Sequence, residues 1–382
     1  MPFLRKYLMV DPFFYQFLNK GVKKRIRIKD IAERAQVSRG TVDRVIHNRG
    51  NVSSKIQQKV LAVLEELNYE KNILASTLAY NRTFHIGVLL PNYQDDPFWE
   101  QPKKGIEKAL RAVEHYGVKV SYFYFDQYKT ESFNEQAQLL LEQQIDSVLF
   151  APNFFNEANV FMEKCEAKQF PYVQINSYSG FKGTFNLGYI GQDSYQSGVL
   201  AARLLSYHLQ AGDKVAILHM EKSIENAHHL IEKEKGFRDF FTSSTLQDIE
   251  IVQLVFPPDQ EPELMNAFFS EHLLGIRNLA AVLVSTSRAY MLAEFLHLNA
   301  KGVHLGGFDL IEKNTNFLLE GKIDFLLNQN PLKQGYYGIM RLAEFFLKKS
   351  TNDATMNVQL DIVVKENLKY YLQATKELQV IV

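Results

Sequence analysis

Residues 28–80 read IKDIAERAQVSRGTVDRVIHNRGNVSSKIQQKVLAVLEELNYEKNILASTLAY. Ile28, Ile31, Ala32 and Ala35 recur at helical spacing and give a first short helix one apolar face. Val37 falls in the turn that follows. Ser38 has the chemistry to cap a second helix, whose inner face is Val42, Val45 and Ile46. Two short helices on a tight turn are the helix-turn-helix arrangement, which lays its second helix in the DNA major groove. The outer face of that helix carries Arg39, Thr41, Asp43, Arg44 and His47. Arginine reads guanine with paired bonds, and Thr, Asp and His reach base edges or phosphates. Gly40 lets the backbone come close to a groove, at about 1 kcal/mol in helix propensity. After a loop through Asn51, Ser53 or Ser54 starts a third helix, and Ser54 with Gln57 has capping-box spacing. Its apolar stripe is Ile56, Val60, Val63, Leu64 and Leu67. A three-helix bundle with no DNA role has the same apolar pattern, but the basic load on the second helix and its loop weighs against it.

The charge distribution points the same way. The chain of 382 residues is neutral overall, yet residues 20–59 hold 12 Lys and Arg against 3 Asp and Glu, so the remainder carries the balancing negative excess. A basic head on an acidic body is the footprint of a nucleic-acid binder whose body avoids the phosphates. Cys165 is the only cysteine, which excludes an intrachain disulfide and a cysteine-based zinc site and fits a reducing cytoplasm. On its amphipathic helix it reads as a buried, inert thiol. Residues 1–24 are apolar but interrupted by Arg5, Lys6, Asp11 and Pro12, so they read as a poorly ordered extension rather than an export signal. No stretch approaches the ~20 apolar residues of a membrane span.

From His85 the chain alternates. HIGVLLP, VKVSYFYFD, SVLFAP and YVQINS read as buried strands, with helices near 98–116, 131–144 and 156–168 between them. KVAILHM, EIVQLVF, AAVLVS, VHLGGFD and IDFLLNQ form a second series. Such alternation predicts parallel sheets covered by helices, and two series predict two lobes. Ligands of such sheets sit at the carboxyl ends of the strands, here in the cleft between lobes. Motifs for a phosphate-binding loop, a dinucleotide, a nucleophile elbow or a zinc protease are missing, so neither an enzyme nor a cofactor is expected. His228 and His229 are adjacent and diverge on a helix, a poor metal pair.

The head resembles that of the lactose-repressor/galactose-repressor (LacI/GalR) family over about 50 residues. The shared frame is D-I-A…A-x-V-S-x-x-T-V-x-R-V…V-S…V…L-N-Y…N…A…L. The resemblance continues through the body and implies an all-α helix-turn-helix headpiece joined to an α/β, two-lobed, type I periplasmic-binding-protein-like body with parallel sheets. It implies phosphate contacts for Ser38 and Thr41, and a base-reading face of Arg39, Gly40 and Arg44. It also implies a loop contact to the operator backbone at Asn51 and a hinge helix from Asn72 to Ala79. Leu78 would wedge into the minor groove and kink the DNA; alternatively Leu78 packs and Asn72 merely caps. Departures are Arg27 for a capping Thr, which brings a phosphate contact instead; Gln36 for a turn Gly, with strain; Lys71 for a Pro; and an acidic Asp43 on the reading face.

In the body the resemblance implies ligand contacts from Asp96, Phe98 and Trp99 after the first strand. It implies others from Asn176, Thr286, Asp309 and Gln329, the last within NQNPLKQGYYG. Aromatic faces pack on a sugar's C–H face, while carboxylates and amides take its hydroxyls. Ser177 stands where relatives carry Arg, and Thr286 where they carry Asn; Asp309 and Asn176 could instead cap helices. The expected domains are an extension at 1–24, a DNA-binding head at 25–71, a hinge helix at 72–82 and a ligand-binding body at 83–382. Within the body, the first lobe takes about 84–190 and 330–350, and the second about 191–329 and 351–382. The expected molecule is a cytoplasmic, nucleoid-associated homodimer. It would bind a near-palindromic double-stranded operator, most simply as a repressor of carbohydrate genes, under control of a sugar effector. Alternatives are a nucleobase or nucleoside effector, a solute-binding protein without a DNA role, and an enzyme on the same scaffold.

Overall fold

Three short helices pack around one small apolar cluster at the start of the described chain. The computed structural model describes residues 28–46, 50, 52–67, 83–244, 248–300, 302–348 and 355–373, and the chain divides into two units between Ser76 and Thr77. The extension at 1–24, Arg27, His47, Asn51, Lys71 and the hinge residues with Leu78 lie outside the described residues. In the first unit α1 (Ile28–Ala35), α2 (Arg39–Ile46) and α3 (Ser54–Glu66) bury Ile31, Ala32, Ala35, Val42, Val45, Val60 and Val63 together. Ser38 caps α2, its Oγ accepting the Thr41 N–H at 3.1 Å. The start of α3 differs from expectation. Ser53 is the cap residue and makes no side-chain bond, so the Ser54–Gln57 box does not form. Ile56 is 37% exposed rather than core, and the buried face of α3 is carried by Val60 and Val63.

The turn holds Gln36 at φ 52°, in the left-handed region, while Val37 N–H closes it onto Ala32 O at 3.0 Å. That region costs a side chain about 1 kcal/mol, which glycine escapes. Gln36→Gly should therefore raise the head's stability by about 1 kcal/mol, seen as a later head transition in thermal unfolding of the full chain. An earlier transition would mean that the Lys59–Gln36 contact (3.4 Å) outweighs the strain.

The second unit carries two sheets. The first lobe runs β1 (Phe84–Pro91), α4 (Glu100–Val113), β2 (Val118–Phe125), α5 (Thr130–Glu142), β3 (Ser147–Phe150), α6 (Phe155–Ala167), β4 (Tyr172–Ile175) and β5 (Asn186–Gly191). The second runs α7 (Ser194–Ser206), β6 (Lys214–His219), α8 (His228–Ser243), β7 (Glu250–Val255), α9 (Pro262–His272), β8 (Leu279–Val284), α10 (Ala289–Asn299), β9 (His304–Phe308), α11 (Glu312–Leu319) and β10 (Phe325–Asn328). The chain then returns through α12 (Pro331–Lys348), β11 (Met356–Asn357) and β12 (Asp361–Val363). The sheet orders are β11-β5-β4-β3-β1-β2 and β12-β10-β9-β8-β6-β7, parallel except for the β10–β12 pair. β11 pairs with β5, so the expected second-lobe segment from 351 begins in the first lobe: leaving α12, the chain meets the edge of the first sheet before crossing. Crossings thus lie after β5, after β10 and after β11.

Each lobe is fastened by two helices that meet at glycines. A Cβ on Gly105 of α4 would lie 2.0 Å from Leu332 O, and one on Gly335 of α12 2.1 Å from Pro102 O. In the second lobe the matching distances are 1.9 Å from Gly198 to Lys233 O and 2.0 Å from Gly236 to Tyr195 O. Such approach allows no side chain. Cys165 is buried, and burial pushes its thiol up to about 12. Among the described residues no helix is long and apolar enough to cross a membrane, and no side-chain cluster could hold a metal.

Candidate functional site

The carboxyl ends of the strands meet across a cavity of about 450 Å³ between the lobes. Asp96, Phe98, Trp99, Asn176, Thr286, Asp309 and Gln329 all line it. Local backbone explains the placing. Asn176 and Asp309 directly follow β4 and β9 at φ 67° and 68°, a conformation that Asn and Asp tolerate better than other side chains. The chain thus turns sharply at the strand end and leaves the short polar side chain facing the cleft.

Phe98 and Trp99 form the aromatic wall, edge to face with ring centroids 5.0 Å apart. Trp99 is buried and its Nε1–H donates to Gln127 Oε1 at 3.2 Å. Asp96 is engaged by protein donors. Its Oδ1 accepts the Phe98 N–H at 3.0 Å, and its Oδ2 accepts from Gln127 Nε2 at 3.2 Å and from Arg288 Nη2 at 2.7 Å. Burial works against the Arg288 charge, but Asp96 and the nearby tyrosines outweigh it and raise its pKa.

The floor comes from the second lobe. Asp309 is 2% exposed; its Oδ2 accepts from Gln329 Nε2 at 2.5 Å, while Oδ1 has no partner. Burial pushes its carboxyl up, and the Lys233 ammonium opposes the shift. Lys233 is itself buried, donates to Ser285 O at 3.0 Å and stands 3.8 Å over the Phe308 ring; burial drives its pKa down and Asp309 resists. Behind it His219 bridges Ser285 Oγ (2.8 Å) and Glu234 Oε2 (2.7 Å). Burial favours neutral Glu234, but hydrogen bonds from His219, Arg238 and Gln253 win and hold it at about 2. Burial brings His229 down to about 3, so its ring is neutral near pH 7.

Asn153 Oδ1, His229 Nδ1, Thr286 Oγ1 and Asp309 Oδ1 are buried cavity-lining atoms with no hydrogen-bond partner. Buried polar atoms without partners are costly and uncommon. All four can accept, His229 Nδ1 in the tautomer protonated at Nε2, so the cavity suits a compact ligand rich in hydroxyl or N–H donors beside an apolar face. Sequence reasoning missed Gln127, Tyr128, Asn153, His229, Lys233 and Arg288. Arg288 lies two residues beyond Thr286, in the loop between β8 and α10, where a search for charge would have found it. Lys233 is the buried cation within HHLIEKEKGF, a segment in which no sugar-binding residue could be chosen from sequence. Ser177 is buried and does not line the cavity.

In the head, Ser38, Arg39, Gly40 and Arg44 are exposed along α2, and Thr41 and Asp43 are half-buried. Ser38 Oγ and Thr41 Oγ1 lie 2.9 Å apart, so the two hydroxyls act together at the helix start. This places an exposed N-terminal helix end and two arginines on one short element, the geometry a groove-reading helix needs.

Comparison with known proteins gives the family. Residues 86–350 match the periplasmic binding protein domain, and residues 27–72 match the bacterial regulatory proteins of the lacI family. The sucrose operon repressor of Pediococcus pentosaceus is 30% identical over 191 residues, covering 50% of this chain and 54% of the repressor. The HTH-type transcriptional regulator MalR of Streptococcus pneumoniae (strain TIGR4) is 27% identical over 194 residues, covering 50% and 55%. These alignments thus span about half the length of the curated relatives. A crystallised candidate LacI transcriptional regulator from Bacteroides fragilis superposes with a TM-score of 0.68 at 26% identity, covering 76% of this chain and 100% of that one. The chain belongs to the periplasmic binding protein domain family and carries, ahead of that domain, the helix-turn-helix domain of the lacI family of bacterial regulatory proteins.

Proposed function

We propose that the protein is a sequence-specific DNA-binding transcriptional regulator, acting as a repressor of carbohydrate genes, whose effector is a sugar or sugar derivative held between the lobes. The observation that carries this reading is the set of unpartnered polar atoms beside an aromatic wall. Hydroxyls of a sugar satisfy Asn153, Thr286 and Asp309, while Phe98 and Trp99 cover its C–H face. The names of the relatives, a sucrose operon repressor among them, support the same class. The domain plan is a head at 25–71, a hinge helix at 72–82 and a body at 83–382, in a cytoplasmic homodimer on a near-palindromic operator. In the head, Arg27, Ser38, Thr41 and Asn51 hold phosphates, Arg39, Gly40, Asp43, Arg44 and His47 face bases, and Leu78 enters the minor groove. Effector binding shifts lobe closure and biases the hinge between ordered and disordered states, which requires that the two states bind effector unequally.

Trp99, the only tryptophan, reports on the cavity. A screen of monosaccharides, disaccharides and nucleosides should find a saturable change in Trp99 emission with a sugar. A nucleoside hit with silent sugars would refute the carbohydrate reading. A gel shift on DNA flanking the gene should show specific retention that weakens steeply with salt, as phosphate contacts demand; no specific retention at moderate salt would sink the regulator.

A further inference from the structure

Side chains as well as chain crossings bridge the cleft. Arg288 precedes α10 in the second lobe, whereas Asp96 and Tyr128 follow β1 and β2 in the first. Arg288 Nη2 donates to Asp96 Oδ2 at 2.7 Å and also to the Tyr128 hydroxyl, with the guanidinium carbon 5.6 Å from that ring's centroid. Arg288 is 9% exposed and Asp96 5%. Gln127 ties the first-lobe side together, donating to Asp96 Oδ2 and to the Tyr128 hydroxyl at 3.1 Å while accepting from Trp99. The bridge is therefore buried, joined on both sides to cavity-lining groups, and built wholly from protein atoms.

We propose that Arg288 is a positioning residue that closes the cleft, fastening the second lobe to Asp96 and Tyr128 of the first and setting how readily the lobes part to admit an effector. The physical reason is asymmetric. In the closed arrangement each ion satisfies the other, and in an open one water satisfies both. Neutralise one partner and the closed form alone is left with a buried, uncompensated charge. The equilibrium then moves toward the open form, even though nothing in the hinge has changed. Asp96 is thereby reserved for lobe closure, and ligand hydroxyls fall to Asn153, Thr286 and Asp309. The regulatory meaning rests on the cleft being the effector site. Closure itself can be read with no effector present, so failure of this proposal and failure of that reading are distinguishable.

The test is small-angle X-ray scattering of the effector-free full chain, with circular dichroism to check folding. Arg288→Gln and Asp96→Asn should each shift the radius of gyration upward, and Asn at 96 can still accept the Phe98 N–H. The double variant should be no more open than either single one, because the two changes remove one shared contact. Tyr128→Phe should shift the radius in the same direction by less, and it keeps the proposal testable if a charge variant fails to fold. An unchanged radius in a folded Arg288→Gln, or in a folded Tyr128→Phe where the charge variants do not fold, overturns the proposal. So does opening that adds in the double variant.

Discussion

Asp309→Asn should reduce effector affinity by about a hundredfold while specific operator binding stays within a few-fold of the parent, the size expected when a buried charged hydrogen-bond acceptor is lost. Asparagine is the informative replacement because residue 309 sits at φ 68°, which Asn tolerates and Ala does not. Its carboxamide oxygen can still accept from Gln329, so the turn after β9 keeps its main tie. What changes is the atom facing the cavity: Oδ1, with no protein partner, loses its charge or gives way to an N–H donor. The check is paired, effector titration by Trp99 emission and operator titration by gel shift. Loss of both would assign Asp309 to folding rather than to ligand.

Lys233→Met should cost about 3 kcal/mol of stability above neutral pH and clearly less below it, since removing one member of a buried charge pair strands the other. Burial pushes the Asp309 carboxyl up to about 7, well above its unfolded value. A folded pKa raised in this way contributes stability that is fully present below the unfolded pKa and is lost as pH rises through the folded one. In the parent that loss is complete near pH 7. Without the Lys233 ammonium the folded pKa climbs further, so the variant keeps losing stability above pH 7 where the parent no longer does on this account. Removing the buried ammonium also removes its own desolvation, which offsets part of the cost and keeps the expected figure near the low end. Burial also brings the Lys233 ammonium down to about 8, so both partners are charged only just above neutrality; urea unfolding at pH 5.5 and pH 7.5 reads the difference, and a loss of equal size at both would remove Asp309 as its cause.

Much of the fold is legible because its signals are local. The strands from β1 to β4 and from β6 to β10 are apolar runs between helical segments, and Asn176, Thr286, Asp309 and Gln329 lie where such strands end. β5 escaped because the two glycines of NLGYIG interrupt its apolar run. Its identity comes from pairing with β4 and β11, a long-range fact. β11 and β12 are too short to show any period. The site divides along the same line. Position along a strand predicts which residues reach the cleft, but what each one meets there depends on the opposite lobe. Asp96 is 192 residues from Arg288, and no pattern within either segment shows that they pair. At Gln36 the strain follows only from the family resemblance, in which a turn Gly stands at that position, and the φ of 52° agrees with it.

The glycine crossing of α7 and α8 separates what can drift in this pocket from what cannot. Lys233 O is the atom that a Cβ on Gly198 would strike, so the residue supplying the floor's cation is also the one against which the helices are pressed. The floor can therefore neither rise nor sink by the width of a methyl group without parting the two helices. The walls are different: Asn176 and Thr286 follow strand ends away from that crossing, so a substitution there changes a side chain without pressing on the two helices. New ligand preferences should accordingly arise by changes around the rim, above a base whose depth is fixed by two missing side chains.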